Sequence, residues 1–535
     1  MVLQGIVSAI TQKKGVNVYP TTVMRVLMYH GYIRNRNSLC RQLGVDNIGT
    51  REEIEKNILI EGYKKWGKEV VNHIYGSFAF AIHDDVRNET VCARDPFGIC
   101  SFYYWIGSSG KLVYSIDVRD IIDNEGYSKE MNLKAFQYYT MLGYMAGEET
   151  LYKNIYKLMP GNILIYKNNK IKKEKYFELH YTPEYNVSEE EWVSRIDDTL
   201  DCILTEDRNN IDLTGCYSLL SGGVDSSYLL AKSGIKKAYT VGYDMKDYSE
   251  SDDAKETARA LGVQLEEEVI SIENYFDSLY GYIKKMEFPT TDPSTPVFAL
   301  GMKHLSKVSD WCYSGEGADE FFAGYHVYKR KEEWNSSGAP LYVGCDGVMG
   351  AEDARGFLGH DNIFSLEELV EDIYEGTKGM DALYMMLGVD SKVWLEGDIL
   401  FGAGISARKN GVNLVLPYLD RRFFELSSRI PAELKLKDNC GKYIFRKTAS
   451  KYLNTNIAYR KKVGFKNPVR QWIRDERYRD KVEDVLFGDN SKALYNQTML
   501  QKAWSNYLNG SDTDFRIIYS SYMLLIWYEN VFSRR

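Results

Sequence analysis

A glycine-rich loop at residues 221–227 has the composition of a pyrophosphate site. It consists of Ser221, Gly222, Gly223, Val224, Asp225, Ser226 and Ser227. Glycines let the backbone turn sharply, and a helix starting at Asp225 would direct its first amide groups and its dipole at an anion. The loop lacks the lysine of the Walker pattern GxxxxGK[ST]. We therefore expect ATP to be cleaved near the sugar, with adenylation of a substrate and release of pyrophosphate; the alternative is an ordinary strand-to-helix turn.

A second glycine-rich loop, at residues 314–320, adds three carboxylates. Its sequence is Ser314, Gly315, Glu316, Gly317, Ala318, Asp319 and Glu320. Carboxylates hold the Mg²⁺ that neutralises phosphate, so an acidic loop facing a pyrophosphate loop is chemically consistent. Asp225 and Asp319 are the predicted metal ligands. In the alternative interpretation these acids are solvated or cap a helix.

Basic residues follow in the last third of the chain. They comprise Gly441-Lys442, Arg446-Lys447 and a run containing Arg460, Lys461, Lys462, Lys466 and Arg470. A lysine ammonium is suited to neutralising a departing pyrophosphate or a tetrahedral intermediate. Most surface lysines have no such role, so this run alone assigns no function.

The pattern of strands and helices predicts two domains, at residues 1–185 and 186–535. Short β-rich runs dominate the first. In the second, strand-like runs at 217–220, 238–242 and 263–270 alternate with helices, which indicates a doubly wound parallel sheet followed by a helical tail. Ligands bind at the carboxyl ends of such strands, where the loop at 221 would lie. Residues 335–360 contain six glycines and are predicted to form an exposed surface loop, or less favourably a lid over the substrate.

Composition excludes several classes of function. The chain has 535 residues, a net charge of −8 and eight cysteines without a CxxC pair, which favours reduced core thiols and argues against a nucleic-acid-coating surface. We see no secretory signal and no membrane span. A cytoplasmic enzyme with no nucleic-acid or membrane partner is expected.

These motifs resemble those of the asparagine synthetase family over nearly the whole chain. That family shows SGG(L/V)DSS, SGEG(S/A)DE followed by GY, PFLD, and an R-x-K segment ending in phenylalanine; the matches begin at residues 221, 314, 417 and 460. The resemblance implies ATP contacts from Leu219, Ser221, Val241, Ser314 and Gly315. It implies Mg²⁺ bound by Asp225 and Asp319. It also implies that Glu316 takes part in forming or using the acyl-adenylate, and that Lys462 stabilises the charged intermediate.

The first domain resembles the family's glutamine-hydrolysing domain, which implies an Ntn-hydrolase-like (class II glutamine amidotransferase-like) β-rich sandwich. The second then corresponds to a PP-loop ATP pyrophosphatase. The N-terminal cysteine that hydrolyses glutamine is replaced, since Gln4 stands in its position. Tyr32 stands where the family has glutamate, and Thr50 where it has aspartate. We therefore predict an inactive glutaminase domain.

Without ammonia from glutamine, the simplest amine is the substrate's own, which predicts ring closure. Lasso peptide cyclases and β-lactam or carbapenam synthetases are similar in having a disabled first domain. Glu316 disfavours the β-lactam type, which carries tyrosine there, so we favour a peptide or other amino-acid-derived acid, with a possible precursor-binding partner or protease. An ammonia-dependent asparagine synthetase is the first alternative, although Asn413-Leu414-Val415 departs from its usual Glu and Arg. A non-catalytic scaffold is the second.

Overall fold

The protein forms two compact units in a computed structural model that describes residues 5–6, 24–335, 338–345, 347–359, 364–462, 464 and 467–534. The first unit comprises Met1–Asn132, Gly147–Leu179 and Thr205–Ile211, and the second comprises Leu133–Ala146, His180–Leu204 and Asp212–Arg535. No helix in these described ranges is long and apolar enough to span a bilayer.

The first unit contains two antiparallel sheets. Its strands are Gly5–Ile6 (β1), Met24–Ile33 (β2), Gly76–Asp84 (β3), Glu89–Arg94 (β4), Tyr103–Ile106 (β5), Leu112–Ser115 (β6), Ile155–Lys157 (β7), Asn162–Lys167 (β8) and Lys170–Lys175 (β9). Its helices are Arg36–Leu43 (α1), Arg51–Trp66 (α2) and Val118–Ile122 (α3). One sheet has the order β2-β3-β4-β8-β9 and the other β1-β6-β5-β7.

Strand β3 shows why this unit is a sandwich. Phe78, Phe80 and Ile82 pack with α1 and α2, whereas the alternating Ala79 and Ala81 face the second sheet, in a cluster that includes residues of β5 and β6. Successive side chains of a strand point to opposite faces, so a strand buried on both sides must be apolar at every position. The described residues of the first unit thus form a β sandwich with α1 and α2 on one outer face.

The second unit is built around a parallel sheet. Its strands are Tyr217–Leu219 (β10), Lys237–Tyr243 (β11), Gln264–Ile270 (β12), Trp311–Tyr313 (β13), Asn413–Val415 (β14), Leu436–Lys437 (β15) and Cys440–Gly441 (β16). Helices up to the acidic loop are Leu133–Leu142 (α4), Glu189–Asn210 (α5), Val224–Ser233 (α6), Ser251–Leu261 (α7), Ile272–Ile283 (α8), Ser294–Leu305 (α9) and Ala318–Phe322 (α10). The end of α5, from Thr205 on, belongs to the first unit. The later helices are Ala351–Leu358 (α11), Glu367–Gly376 (α12), Ala382–Val389 (α13), Phe401–Asn410 (α14), Arg421–Ser427 (α15), Ala432–Lys435 (α16), Tyr443–Ala449 (α17), Thr455–Ala458 (α18), Val469–Trp472 (α19), Glu476–Leu486 (α20), Asp489–Leu494 (α21), Gln497–Leu508 (α22) and Asp512–Trp527 (α23). A π-helix, Asp390–Leu400, joins α13 to α14.

The strand order β12-β11-β10-β13-β14 places the two glycine-rich loops side by side. The chain runs outward from β10 through β11 to β12 and then returns to the other side of β10 with β13, so the order reverses between β10 and β13. Ligands bind at such reversal points, beyond the carboxyl ends of the strands. The loops at 221 and 314 follow these two neighbouring strands.

Part of the predicted loop at 335–360 is instead a helix. Helix α11 buries Ala354 and Phe357, which are three positions apart and therefore share one helical face. Residues 336, 337, 346 and 360 of this segment lie outside the described chain. The surface-loop prediction is thus wrong for α11. It relied on the six glycines and overlooked the short helical spacing of Ala354 and Phe357. The helix predicted from Asp225 begins one residue earlier, at Val224.

Candidate active site

The two glycine-rich loops enclose a cavity of about 310 Å³. Its wall includes the predicted site residues Leu219, Ser221, Gly223, Asp225, Ser226, Val241, Ser314, Gly315, Glu316, Asp319 and Lys462. A side chain on Gly315 would bring its Cβ to 3.2 Å from the carbonyl carbon of Asp225, a tight contact, so the close approach of the two loops favours glycine at this position. Of the described residues predicted to bind nucleotide, Gly222 and Ser227 lie outside this wall.

Gly222 shapes the turn of the first loop, whereas Ser227 lies behind it on α6. Gly222 has φ +78°, and a Cβ there would lie 2.6 Å from the Cβ of Asp253, so the turn requires glycine. Ser227 is fully buried on α6. The hydroxyls of Ser221 and Ser226 lie 3.2 Å apart, and the Gly223 amide donates to Ser221 Oγ at 3.3 Å. The turn is thereby fixed at the start of α6.

Two lysines bind the predicted metal ligands. Lys442 Nζ lies 2.5 Å from Asp225 Oδ2 and 2.6 Å from Asp319 Oδ1. Lys462 Nζ lies 2.5 Å from Asp319 Oδ2 and stands over the ring of Tyr325, 4.2 Å from its centroid. Two carboxylates and two ammonium groups therefore meet at one end of the cavity.

The neighbouring charges shift the acids in different directions. Burial raises the pKa of Asp225. Burial also raises the pKa of Glu316, and the negative charge of Asp319 raises it further. Burial opposes ionisation of Asp319 too, but Lys442 and Lys462 outweigh it and hold the pKa of Asp319 below its ordinary value. Burial and the charge of Asp319 raise the pKa of Glu320 to about 8. Asp319 is the member of the group that the lysines keep ionised.

The donor set at Asp225 and Asp319 fits Mg²⁺. Mg²⁺ is bound in proteins by one or two carboxylates together with substrate phosphates. Asp225 Oδ1 is buried and has no hydrogen-bond partner among the described residues. Within the same residues no group of three or more His, Cys, Asp or Glu side chains forms a cation site. This pair would therefore need the phosphates of a nucleotide to complete the metal's coordination.

A second, larger cavity of about 870 Å³ adjoins the first. The two share six lining residues, namely Ser294, Phe298, Glu316, Asp319, Lys462 and Gly464. Elsewhere its wall includes the aromatic side chains of Tyr325, Trp394, Phe515 and Tyr519 and the charged groups of Asp247, Asp292, Asp398, Arg470 and Arg516. Glu316 and Lys462 thus lie at the junction between the smaller and the larger cavity.

The sequence motifs do not single out Lys442 as a site residue, although the Gly441-Lys442 pair belongs to the basic residues of the last third of the chain. Arg446, Arg460 and Lys461 also line the smaller cavity. Arg460 donates to the carbonyl oxygen of Gly222 at 2.6 Å, which ties the basic run to the first loop. The sequence contains one local signal near Lys442, the Asp438-Asn439 pair, whose residue types are typical of a tight turn. In the structure both residues have positive φ and form the turn between β15 and β16, just before Lys442. Lys466 lies outside the described residues.

Comparison with known proteins decides the family. The asparagine synthase family model matches residues 215–529, and a glutamine amidotransferase domain model matches residues 17–177. The chain belongs to the asparagine synthase family. Members are ATP-dependent ligases that form amide bonds and release AMP and pyrophosphate, so the chain is an enzyme of this type. The predicted resemblance and fold class, a class II glutamine amidotransferase-like domain followed by an ATP-dependent synthetase domain, are confirmed.

Two relatives resemble this chain over most of its length. Asparagine synthetase [glutamine-hydrolyzing] 1 of Bacillus subtilis is 26% identical, covering 94% of this chain and 85% of its own. Amidase chyE of Penicillium rubens is 24% identical, and the match covers 82% of this chain and 76% of the amidase. Among solved structures, glutamine phosphoribosylpyrophosphate amidotransferase from B. subtilis is 13% identical, and the match covers 69% of this chain and 76% of that one. Its TM-score is 0.22, which is too low to support an argument.

In this member of the asparagine synthase family, the positions predicted to have lost glutamine contacts are engaged in internal contacts of the first unit. The Tyr32 hydroxyl donates to Asp207 Oδ1 at 2.7 Å, and Arg51 donates to the carbonyl oxygen of Gly31 at 2.8 Å. Thr50 caps α2 in a reciprocal capping box with Glu53. Gln4, at the predicted position of the missing nucleophile, lies outside the described residues.

Proposed function

We propose that this enzyme adenylates a carboxylate of a large, amino-acid-derived or peptide substrate and closes it onto the substrate's own amine, as a macrolactam or lasso-peptide-type cyclase. The observation that carries this proposal is the cavity of about 870 Å³ beside the smaller one. Its volume lies near the top of the range of roughly 300–1,000 Å³ found for sites of drug-sized ligands. A small acid such as aspartate would leave most of it unfilled.

In the proposed first step, the smaller cavity binds ATP and the substrate carboxylate attacks the α-phosphorus. The serine hydroxyls and amides of the 221–227 loop, at the start of α6, face the pyrophosphate. Asp225 and Asp319 would hold Mg²⁺, which neutralises phosphate charge when bound. Lys442, Arg446 and Arg460 line the same cavity and add positive charge to it. The products of this step are an acyl-AMP and pyrophosphate.

In the proposed second step, an amine attacks the acyl carbon at the junction of the cavities. Lys462 is placed to stabilise the oxyanion, since its ammonium lies in the wall of both compartments. Glu316 lies in both walls as well and would accept the amine proton. An amine tethered to the acid gains a large effective concentration, so a closing ring needs no separate amine site.

Contacts in the first unit support an amine that does not come from glutamine. Tyr32 is committed to Asp207 and Thr50 to the cap of α2. Both side chains already have partners, and neither offers the carboxylate that the family has at its position. We propose that this unit is an inactive glutaminase domain with a structural role.

Isotope exchange between labelled pyrophosphate and ATP tests the proposal on the purified full chain. Aspartate and linear peptides with acidic side chains would be offered in parallel, with Asp319→Asn as the inactive control. We expect exchange with a peptide or another large acid, and a product whose mass is that of the linear substrate less one water. Exchange with aspartate alone, giving asparagine when ammonium is added, would refute the cyclase proposal.

An ammonia-dependent asparagine synthetase is the second candidate. The naming of the B. subtilis relative, similar over 94% of this chain, favours it. Against it stands the size of the larger cavity and the strand Asn413–Val415, where the family's usual Glu and Arg are absent. The same exchange assay separates the two candidates, because they differ in the acid that is accepted and in the need for ammonium.

A cyclase acting on a peptide needs that peptide to be delivered. We propose that a precursor-peptide-binding partner or a protease acts together with this chain. Co-purification of the full chain with the products of neighbouring genes, followed by the exchange assay on the linear precursor, tests this. Full exchange on the precursor without any added protein would show that no partner is required.

A further inference from the structure

Lys442 makes an unusual pair of contacts. Only 1% of its side chain is exposed, and its ammonium lies within 2.6 Å of carboxylate oxygens from both Asp225 and Asp319. One buried positive charge is thereby shared between two negative charges that would otherwise repel each other. The two oxygens of Asp319 pair with Lys442 and Lys462, so a divalent cation held by the same two aspartates would lie close to the Lys442 ammonium and be repelled by it.

The backbone around Lys442 is shaped to place it there. Lys442 itself has φ +57°, a left-handed conformation that residues other than glycine rarely adopt and that costs energy. Its amide donates to the carbonyl oxygen of Phe322 at 3.0 Å, which fixes the strained residue against the end of α10. Strain at a buried lysine indicates that its position matters more than local stability does.

Glycine at position 324 clears the space that the Lys442 side chain uses. A Cβ at Gly324 would lie 1.7 Å from Asp319 Oδ1 and 2.3 Å from Lys442 Cε. On the opposite side, the Tyr418 hydroxyl donates to the carbonyl oxygen of Asp225 at 2.9 Å and holds the start of α6 in place. Both neighbours of the ammonium are thus fixed by separate elements, α6 and α10.

We infer that Lys442 is a built-in counter-ion of the aspartate pair that keeps a divalent cation out until nucleotide phosphates arrive. The inference rests on the proposed role of Asp225 and Asp319 as metal ligands. Nucleotide phosphates change the competition between the Lys442 ammonium and the cation for the two aspartates. They supply oxygen ligands to the metal, and they give the ammonium a new anionic partner. Metal and nucleotide would then bind together rather than in sequence.

The inference can be tested with Mn²⁺ as the probe, in the absence of nucleotide, by the loss of its free-ion electron paramagnetic resonance signal. The full-length wild type is compared with Lys442→Met, which removes the charge, and with Lys442→Arg, which retains it. Lys451→Met is the matched control, because Lys451 pairs with Asp197 at 2.8 Å and is 47% exposed. We expect Lys442→Met to bind Mn²⁺ at least about tenfold more tightly than the other three proteins. The substitution removes the ammonium that pairs with both aspartates and leaves Lys462, on Asp319, beside them, so the pair attracts the cation more strongly.

The melting temperature gives an independent readout. Mn²⁺ should raise it in Lys442→Met and leave it unchanged in wild type, because only a ligand that binds the folded state stabilises it. Lys442→Gln replaces the methionine variant if the latter does not fold. Equal Mn²⁺ binding by wild type and the neutral variant would overturn the inference. Unchanged Mn²⁺ binding in Asp225→Asn with ATP present would instead overturn the proposed metal role.

Discussion

Glu55 in the first unit and Asp319 in the second are both carboxylates with cationic neighbours, but their surroundings differ. Glu55 has no exposed surface, accepts the Tyr29 hydroxyl at 2.8 Å and the Ile33 amide at 3.1 Å, and lies 3.7 Å from Arg51. Asp319 is held by two lysines and lies in the walls of two cavities. One acid is enclosed by its own unit, and the other faces space that a ligand can enter.

The comparison shows two ways in which one chain satisfies its buried carboxylates, by its own groups in the first unit and by groups that face a cavity in the second. In the first unit, the side chains at the two expected glutamine positions already have internal partners, Asp207 for Tyr32 and Glu53 for Thr50, so they stabilise the fold. In the second, Asp225 keeps a buried oxygen without a hydrogen-bond partner among the described residues. Such a group is costly unless something binds to it. Substitutions in the two units should therefore separate loss of catalysis from loss of stability.

The largest effect should come from Lys462→Met. We expect kcat to fall roughly 10²–10³-fold with little change in the KM for ATP, because an oxyanion-stabilising charge acts mainly in the transition state. Steady-state pyrophosphate release, with the acid found by the exchange assay, measures both constants. Lys451→Met is the matched surface control. A rise in the KM for ATP with kcat retained would place Lys462 in nucleotide binding instead.

The next effect should come from Glu55→Ala, and it should appear in stability rather than in turnover. The substitution leaves the Tyr29 hydroxyl and the Ile33 amide without their acceptor, which we expect to lower the free energy of unfolding of the first unit by about 3 kcal/mol. Urea denaturation measures this change. Activity per folded molecule should stay within about twofold of wild type. A selective loss of turnover would mean that the first unit still contributes to the reaction.

How much of the site was predictable depends on whether its signals are local. The loops at 221 and 314 were predictable because glycines and acids lie next to each other in sequence, and the strands before them show in short apolar runs. The alternation of strands and helices further predicted the parallel sheet that brings these loops together. Local composition was therefore sufficient for the two loops.

The role of Lys442 could not be predicted in the same way. Its contacts depend on a positive φ, on the space left by Gly324 and on two helices that are distant in sequence. None of these is encoded in the spacing around residue 442. The size of the larger cavity could not be predicted from the sequence either, because the residues that line it are spread along the chain from residue 142 to residue 519.

A smaller effect is expected from Asp390→Asn, which tests a buried acid of the second unit that lies outside both cavity walls. Burial raises the pKa of Asp390 to about 7, although the Tyr328 and Tyr342 hydroxyls donate to it. Its ordinary pKa is about 3.9. Between these values the folded state binds the proton and the unfolded state does not, so stability falls as pH rises. We expect wild type to lose roughly 2 kcal/mol between about pH 5 and 6.5 by urea denaturation, and the variant to lose less.

The smallest effect should come from Thr50→Ala, at a position where the resemblance to the family implies a lost glutamine contact. Thr50 Oγ1 accepts from the Glu53 amide at 3.3 Å, and the Thr50 amide donates to Glu53 Oε2 at 2.9 Å. Loss of the cap should cost about 1 kcal/mol of unfolding free energy. Thr50→Asp retains a capping side chain and restores the family's residue, so it should recover most of this loss without creating glutaminase activity. Glutamine hydrolysis by Thr50→Asp would show that the first unit is closer to an active glutaminase than its internal contacts indicate.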